Sequence, residues 1–467
     1  MVRRAFAAAT IAALGFGGVA SAALLSAPSS SPPPTTSTTT DTTSTDPSVF
    51  VVTGHGYGHG IGMGQWGAYG YALHGWSATR ILAHYYSGTT IGHDATKDVR
   101  VLLADAETSA TVGSTAAWKL VDAAGTRLKL PAGPLTLPAS LAAGGHKLVS
   151  PVTLKPGTEP LELGGTPYHG SLVVVSDGNT LQVVNDVRMQ DYLDGVVAEE
   201  VPPGWPAAAL QAQAIASRSF ADYEIEGVDT ASPFDVYADG RSQVYGGIAA
   251  ETPSTTAAVK GTIHQVVLYD GKVAVTYFSS STGGETVSAA EANGSAVPYL
   301  VSVPDPWDIY SPDHDWGPLL MSANAVGKAL GLHAPLSDVQ MTMGTSDHVA
   351  SLTAIASGQK VTMTGAQVRD ALALKSSWFQ LGWLALQAPG GAVRAGTTVE
   401  LKGTAKGLVG VTLESRTAGT DWQPAGSVAP DGSGSFTIDV SPRVTTWYRL
   451  AAGTVSAGFA RVAVAAG

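Results

Sequence analysis

Apolar residues fall at helical spacing through Met189, Tyr192, Leu193, Val196 and Val197, which predicts a helix over 189–198. Pro202 and Pro203 stop it. Pro206 suits the first turn of a second helix, where a missing N–H costs nothing. That helix is rich in alanine and sets Leu210, Ala214, Ser217 and Ala221 along one face. Far upstream, Val49–Thr53 reads as a short strand. Glycines at 54, 56, 58, 60, 62, 64 and 67 follow it and exclude a helix there. Helices are predicted to begin at Gln65-Trp66 and to cover Ser77–Tyr86.

The intervening chain, 98–186, is a succession of short apolar runs punctuated by Gly, Pro and Asp. Val99–Leu103, Trp118–Val121, Arg127–Leu130, Lys147–Val152, Leu172–Val175 and Leu181–Val184 read as strands, the last two joined at Asp177-Gly178. Beyond the paired helices, Gln265–Tyr269 and Val273–Phe278 read as a hairpin turning at Asp270-Gly271. Leu319–Leu332 reads as a helix, Val339–Ile355 and Val361–Thr364 as strands, and Thr364–Leu374 as a capped helix. Residues 388–467 alternate strand-like runs with turn residues, the texture of an immunoglobulin-like β-sandwich. The expected fold class is α+β.

Composition narrows the function. A net charge of −11 argues against a nucleic-acid surface. The absence of cysteine excludes disulfides, thiolate zinc sites and thiol nucleophiles. Arg3 and Arg4, the apolar run Ala5–Ala20 and the small-residue site Ala20-Ser21-Ala22 read as a signal peptide over 1–22. An uncleaved anchor is the rival. Residues 23–48 form a Ser/Thr/Pro-rich stretch expected to be a disordered tether. No later segment is apolar enough for an integral membrane domain. The expectation is a secreted or wall-associated protein.

The break between the paired helices carries Glu199 and Glu200. A helix C-terminus is the negative end of its dipole, and each glutamate adds like charge to the other. Both effects raise a carboxyl pKa, as a general acid requires. Two solvated loop charges are the alternative. His55 and His59 are four apart, but outside a helix they do not share a face, so a metal pair is not expected.

The stretch YLDGVVAEEVPPGWPAAALQAQAIASRSFA resembles the signature of the stage II sporulation protein D family, also called SpoIID/LytB. That pattern runs YL-x-GVV-x-x-E-x-P-x-x-W/F-P-x-x-AL-x-AQA-x-A-x-R. The resemblance implies that Glu200 is catalytic and that Arg218 binds substrate; Glu199 has no counterpart. GHGIGMGQWGAYGYA is similar to the family's second block, GHG-x-GM-x-QWGA. It implies that His59 and Gln65 line a glycan cleft, with Met63 and Trp66 shaping it. In the sporulation protein this block comes last, whereas here it comes first. The strand Val49–Thr53 is therefore expected beside Ser377–Leu381, with His59 and Gln65 facing Glu200. The family-like stretches SQVYGG and AVKGTIHQVVLYDGKVAVTYFSSSTGGET imply Tyr277, Ser281 and Thr286 as candidate sugar contacts; a glycine-rich surface hairpin end is the alternative. Some relatives bind zinc just upstream through Cys and His; Arg241-Ser242-Gln243 stands there, so neither metal nor cofactor is expected. Tyr299–Trp316 reads as packed aromatic loops rather than a stacking rim.

The resemblance covers residues 49–385, read as one catalytic domain with a β-rich insertion at about 98–186. It implies a lytic transglycosylase acting on peptidoglycan glycan strands. The alternative is a non-catalytic, glycan-binding enhancer of a cell-wall amidase, since the family includes such enhancers. An adhesin or spacer built on the C-terminal strands would leave both signatures unused.

Overall fold

The computed structural model describes Thr42–His93 and Asp98–Ala465. The signal peptide and most of the tether expected upstream lie outside the described residues. In chain order the elements that position the site are β1 (Thr42–Thr43), β2 (Ser48–His55), β3 (Met63–Gly64), α1 (Gln65–Leu73), α2 (Ala78–Tyr85), β4 (Thr90–His93) and β5 (Asp98–Glu107). After the inserted strands come β6 (Leu181–Arg188), α3 (Met189–Glu200), α4 (Ala207–Gly227), α5 (Pro253–Gly261), β7 (Gln265–Tyr269), β8 (Phe278–Ser279) and β9 (Asp315–Ser322). The last group is β10 (Phe379–Gln387), β11 (Val399–Lys406), β12 (Thr412–Arg416), β13 (Gln423–Ser427), β14 (Ser435–Val440), β15 (Thr446–Ala452) and β16 (Val455–Val464).

The fold is mixed α+β. Strand β2 pairs antiparallel with β10 from Ser48↔Ala385 to Gly54↔Phe379, the juxtaposition expected of a reordered chain. Its other edge pairs with β9. The residues VFVV are apolar without alternation because β2 is covered on both faces. Phe50 and Val52 pack into one core with Trp316, Val368 and Phe379. Val49 and Val51 pack into another with Leu384, Leu386, Leu401 and Tyr448.

That second core lies between two sheets. One runs β9-β2-β10-β11-β14, the other β1-β16-β15-β12-β13. The sandwich expected over 388–467 thus shares its first sheet with β10, which ends just before that range, and with β2, far upstream. Thr42–Thr43, expected within a disordered tether, pairs in parallel with Val455–Ser456.

The insertion is β-rich, with β5 and β6 adjacent in a seven-stranded sheet. Four further strands, Ser109–Ser114, Gly133–Pro138, Leu161–Leu163 and Thr166–Tyr168, form a second sheet that the apolar runs did not reveal. The helix expected over Leu319–Leu332 divides in two. Leu319–Ser322 completes β9 against β2, and the helix starts after Ser322, whose side chain accepts a bond from Ala325 N–H. The expected strand Val273–Phe278 is also interrupted: Lys272–Val273 pairs with β7, whereas Phe278–Ser279 pairs in parallel with β3. Among the described residues, no helix is long and apolar enough to cross a membrane.

The shared sheet makes the C-terminal strands part of the support for β2. Deleting residues 388–467 would expose the buried side chains of Val49, Val51, Leu384 and Leu386. Each is worth roughly 1.5–3 kcal/mol, and the total is comparable to the ~5–15 kcal/mol that holds a domain folded. The shortened chain is expected to lose its cooperative melt or to aggregate. A truncated protein that melts at the parent temperature would show that the shared sheet contributes nothing to stability.

Candidate functional site

Glu200 is the last residue of α3. The buried face of that helix, Met189, Tyr192, Leu193, Val196 and Val197, fixes how it lies. Val201 then turns into extended backbone, leaving the Glu200 side chain half-buried at the break. Its Oε1 accepts a 3.1 Å bond from the Val244 N–H, and the Gln65 side chain lies close enough to favour the charged carboxylate. Burial raises the Glu200 pKa above the ordinary glutamate value, while the Val244 bond and the Gln65 amide pull it down and Glu199 adds a lesser upward push. Desolvation, rather than the neighbouring charge expected from sequence, is the main cause.

The SQVYGG stretch backs this glutamate. Gln243 accepts a 3.1 Å bond from the Tyr192 hydroxyl. Gly246 N–H reaches the Gly195 carbonyl at 3.0 Å. The Tyr245 hydroxyl donates to Asn185 at 2.8 Å. A Cβ on Gly195 would sit 2.7 Å from the Tyr245 ring, so α3 needs glycine there to lie this close.

The histidine-glycine block brings Gln65. After β2, Gly56, Gly58, Gly60 and Gly62 all take positive φ, which only glycine adopts freely. The loop bridges Tyr57 to Ser281, and β3 pairs with β8. Helix α1 then opens at Gln65. Gln65 Nε2 donates to Gln213 Oε1 at 3.4 Å, and Gln213 Nε2 to Ser217 Oγ at 3.1 Å. Gln65, beside Glu200, is therefore tied through Gln213 into α4.

The other expected site residues lie elsewhere. His59 is half-buried, its Nδ1 accepting from Ile61 N–H at 3.0 Å and its ring edge-on to Tyr277. Burial, aided by the charge of Arg369, lowers its pKa to about 4, so it is neutral near pH 7. Its hydrogen bonds do not reach Glu200. Arg218 is only 3% exposed. Its guanidinium donates to the Gln265 carbonyl at 3.1 Å and the Val259 carbonyl at 3.4 Å, tying α4 to β7 and α5. Burial lowers its pKa to about 10. Ser281 is buried with its hydroxyl 2.8 Å from Asp308 Oδ2. Thr286 is buried too, accepting from Val303 N–H. Among the described residues, no group of three or more His, Asp and Glu is placed to hold a metal.

Two features escaped the sequence reading. Asp305 is fully buried beneath the amino end of α1. A Cβ on Gly67 would fall inside its carboxyl group, and one on Gly64 would lie 2.6 Å from Oδ2. Burial, with Asp308 nearby, raises the Asp305 pKa to about 7, against the bond from the Thr282 hydroxyl. Second, Trp66 and Trp205, which follow Gln65 and Glu200 in the chain, meet with ring centroids 5.1 Å apart.

With this geometry in hand, comparison with known proteins gives the class. The family model described as Stage II sporulation protein matches residues 177–269, a span holding α3, α4 and SQVYGG but not the histidine-glycine block. Stage II sporulation protein D of Bacillus amyloliquefaciens is 32% identical over 253 residues, 50% of this chain and 71% of that protein. The chain belongs to the SpoIID family. An uncharacterized protein of Brachyspira hyodysenteriae is 43% identical over 141 residues, 30% of this chain and 38% of its own length. An amidase enhancer of Bacillus subtilis is 36% identical over 145 residues, 31% of this chain and 19% of its own. No solved structure matches significantly.

Asp305 makes stability depend on pH. Its folded pKa of about 7 lies above the unfolded value near 3.8. The folded state therefore favours the protonated form. Relative to Asp305→Asn, the parent is expected to lose stability, on the order of a few kcal/mol, as pH rises from about 4 to about 7. Thermal melts of both proteins across that range check this. A constant difference in melting temperature would contradict it.

Proposed function

We propose that this chain is an exported peptidoglycan lytic transglycosylase in which Glu200 is the one essential acid and base. The observation that carries the reading is the environment of Glu200. It is a half-buried carboxyl with a raised pKa, held by the Val244 N–H and flanked by the Gln65 amide.

The reaction needs only one carboxyl group. Protonated Glu200 gives its proton to the oxygen linking N-acetylmuramic acid to N-acetylglucosamine, and the bond from that oxygen to the anomeric carbon breaks. The resulting carboxylate takes the proton of the muramic C6 hydroxyl. The C6 oxygen closes on the anomeric carbon, giving a 1,6-anhydro end and restoring the acid. Water does not attack, so the second carboxylate of hydrolytic glycosidases has no task here. Arg218 acts in this reading as a positioning residue, since its buried guanidinium holds α4 in place. In this reading residues 1–22 direct export, and 388–467 complete the support of β2.

A second reading draws on the likeness to an amidase enhancer and on the burial of Arg218, Ser281 and Thr286. In it the cleft binds glycan and the partner is a cell-wall amidase.

Mass spectrometry of glycan fragments released by the purified protein separates these. Anhydro ends are expected from the parent and from Glu199→Gln. Glu200→Gln should lower the yield at least about a hundredfold. Cleavage should also weaken as pH rises past the raised Glu200 pKa, where the proton donor is lost. Reducing ends would indicate a hydrolase, and a parent that releases no fragments would favour the enhancer.

A further inference from the structure

Beside Glu200 the surface carries a continuous row of aromatic rings. Trp205 stands just past Glu200 in the chain, and Trp66 just past its partner Gln65. Tyr69, one helical turn along α1, lies 5.4 Å from Trp66 and 5.0 Å from Trp205 between ring centroids. Tyr310 follows at 5.9 Å from Tyr69, and Trp307 at 6.4 Å from Tyr310. His74, at the far end of α1, stacks on Trp307 at 3.5 Å.

This row is not a closed core. Tyr310 is 39% exposed, and Leu73 and Ile309 beside it are 49% and 64% exposed. Trp66, Tyr69, Trp205 and Trp307 are each partly open. Contiguous apolar exposure of this kind marks a binding surface. The short 3-10 turn Pro306–Tyr310 can lie flat on α1 because Gly70 has no side chain; a Cβ there would come within 2.5 Å of Trp307.

We propose that this row is the binding track for the uncharged part of a glycan strand extending from the bond held at Glu200. The proposal rests on the glycan-cleaving reading above and adds the direction of the strand and the rings that hold it. The face of a pyranose ring presents C–H groups, which pack on the electron-rich face of an aromatic ring. From Trp66 to His74 the helix rises about 12 Å, room for more than one sugar. The net charge of −11 on the chain opposes an anionic ligand. A neutral N-acetylated glycan therefore fits the row better than an anionic stem peptide.

The test uses Glu200→Gln protein, which holds substrate without turnover, and N-acetylglucosamine oligomers from dimer to hexamer. Affinity measured by calorimetry is expected to rise with chain length. Adding Tyr310→Ala should weaken hexamer binding about three- to tenfold and flatten that rise. Adding Tyr310→Phe, which keeps the ring, should restore it. Should the alanine variant fail to fold, hexamer bound to the Glu200→Gln protein must still shield tryptophan fluorescence from acrylamide. An unaltered length profile in a folded alanine variant, or absence of shielding, overturns the track while leaving cleavage by Glu200 intact. A protein that binds no oligomer and whose Glu200-intact parent releases no fragments loses both readings.

Discussion

The antiparallel pairing of β2 with β10 is the contact on which the rest of the molecule depends. It brings residues more than three hundred positions apart into one sheet. The histidine-glycine block leaves the end of β2 and reaches Glu200 only because that strand is fixed. Both faces of β2 are buried, one against Trp316 and Val368, the other against the C-terminal strands. A slip of one residue would exchange Phe50 and Val52 for Val49 and Val51 on the two faces. The larger Phe50 ring, stacked at 5.0 Å on Trp383, has room on one side only. Packing therefore sets the register, and the register sets where α1 begins.

At the site two opposing effects act on Glu200. The Val244 hydrogen bond and the nearby Gln65 amide favour its charged form, while burial favours the neutral one. Burial wins, so the side chain is both oriented and protonated more readily than an exposed glutamate. A lone buried carboxyl would have the second property without the first. The Gln65–Gln213–Ser217 chain supplies the orientation, because each amide is spoken for on its far side.

Much of this was legible in the sequence. Helical spacing and the prolines located α3, α4 and the break, and the paired turns at Asp177-Gly178 and Asp270-Gly271 were marked by their residues. The burial of Arg218 was also legible in principle. It stands four residues after Ala214 and three before Ala221, on the helix face that also carries Leu210 and Ser217. A family pattern names a residue without saying which way it points. The fates of Ser281 and Thr286 were not legible. Ser281 is taken up by Asp308, and Thr286 by the backbone of Val301 and Val303. Those partners come from a loop whose path only tertiary packing decides. The same holds for Pro306–Tyr310, which lies on α1 instead of forming a loop of its own.

The glycines of the block have a physical role beyond flexibility. Helix α1 begins with neither a capping side chain nor an acidic residue in its first turn. Its amino end rests instead over the carboxyl group of Asp305, which a helix dipole would prefer to find charged. Burial and Asp308 work against that charge and prevail. The dipole therefore gains less than a full carboxylate would give, and close fit must hold the helix. Gly64 and Gly67 provide that fit, since a side chain at either would collide with Asp305. Gly70 does the same one turn later against Trp307. Raising α1 by the width of one methyl group would draw Gln65 away from Glu200 and open the contact between Trp66 and Trp205. The spacing of small residues along GMGQWGAYG thus sets the height of α1, and through it the geometry of the carboxyl group beside it.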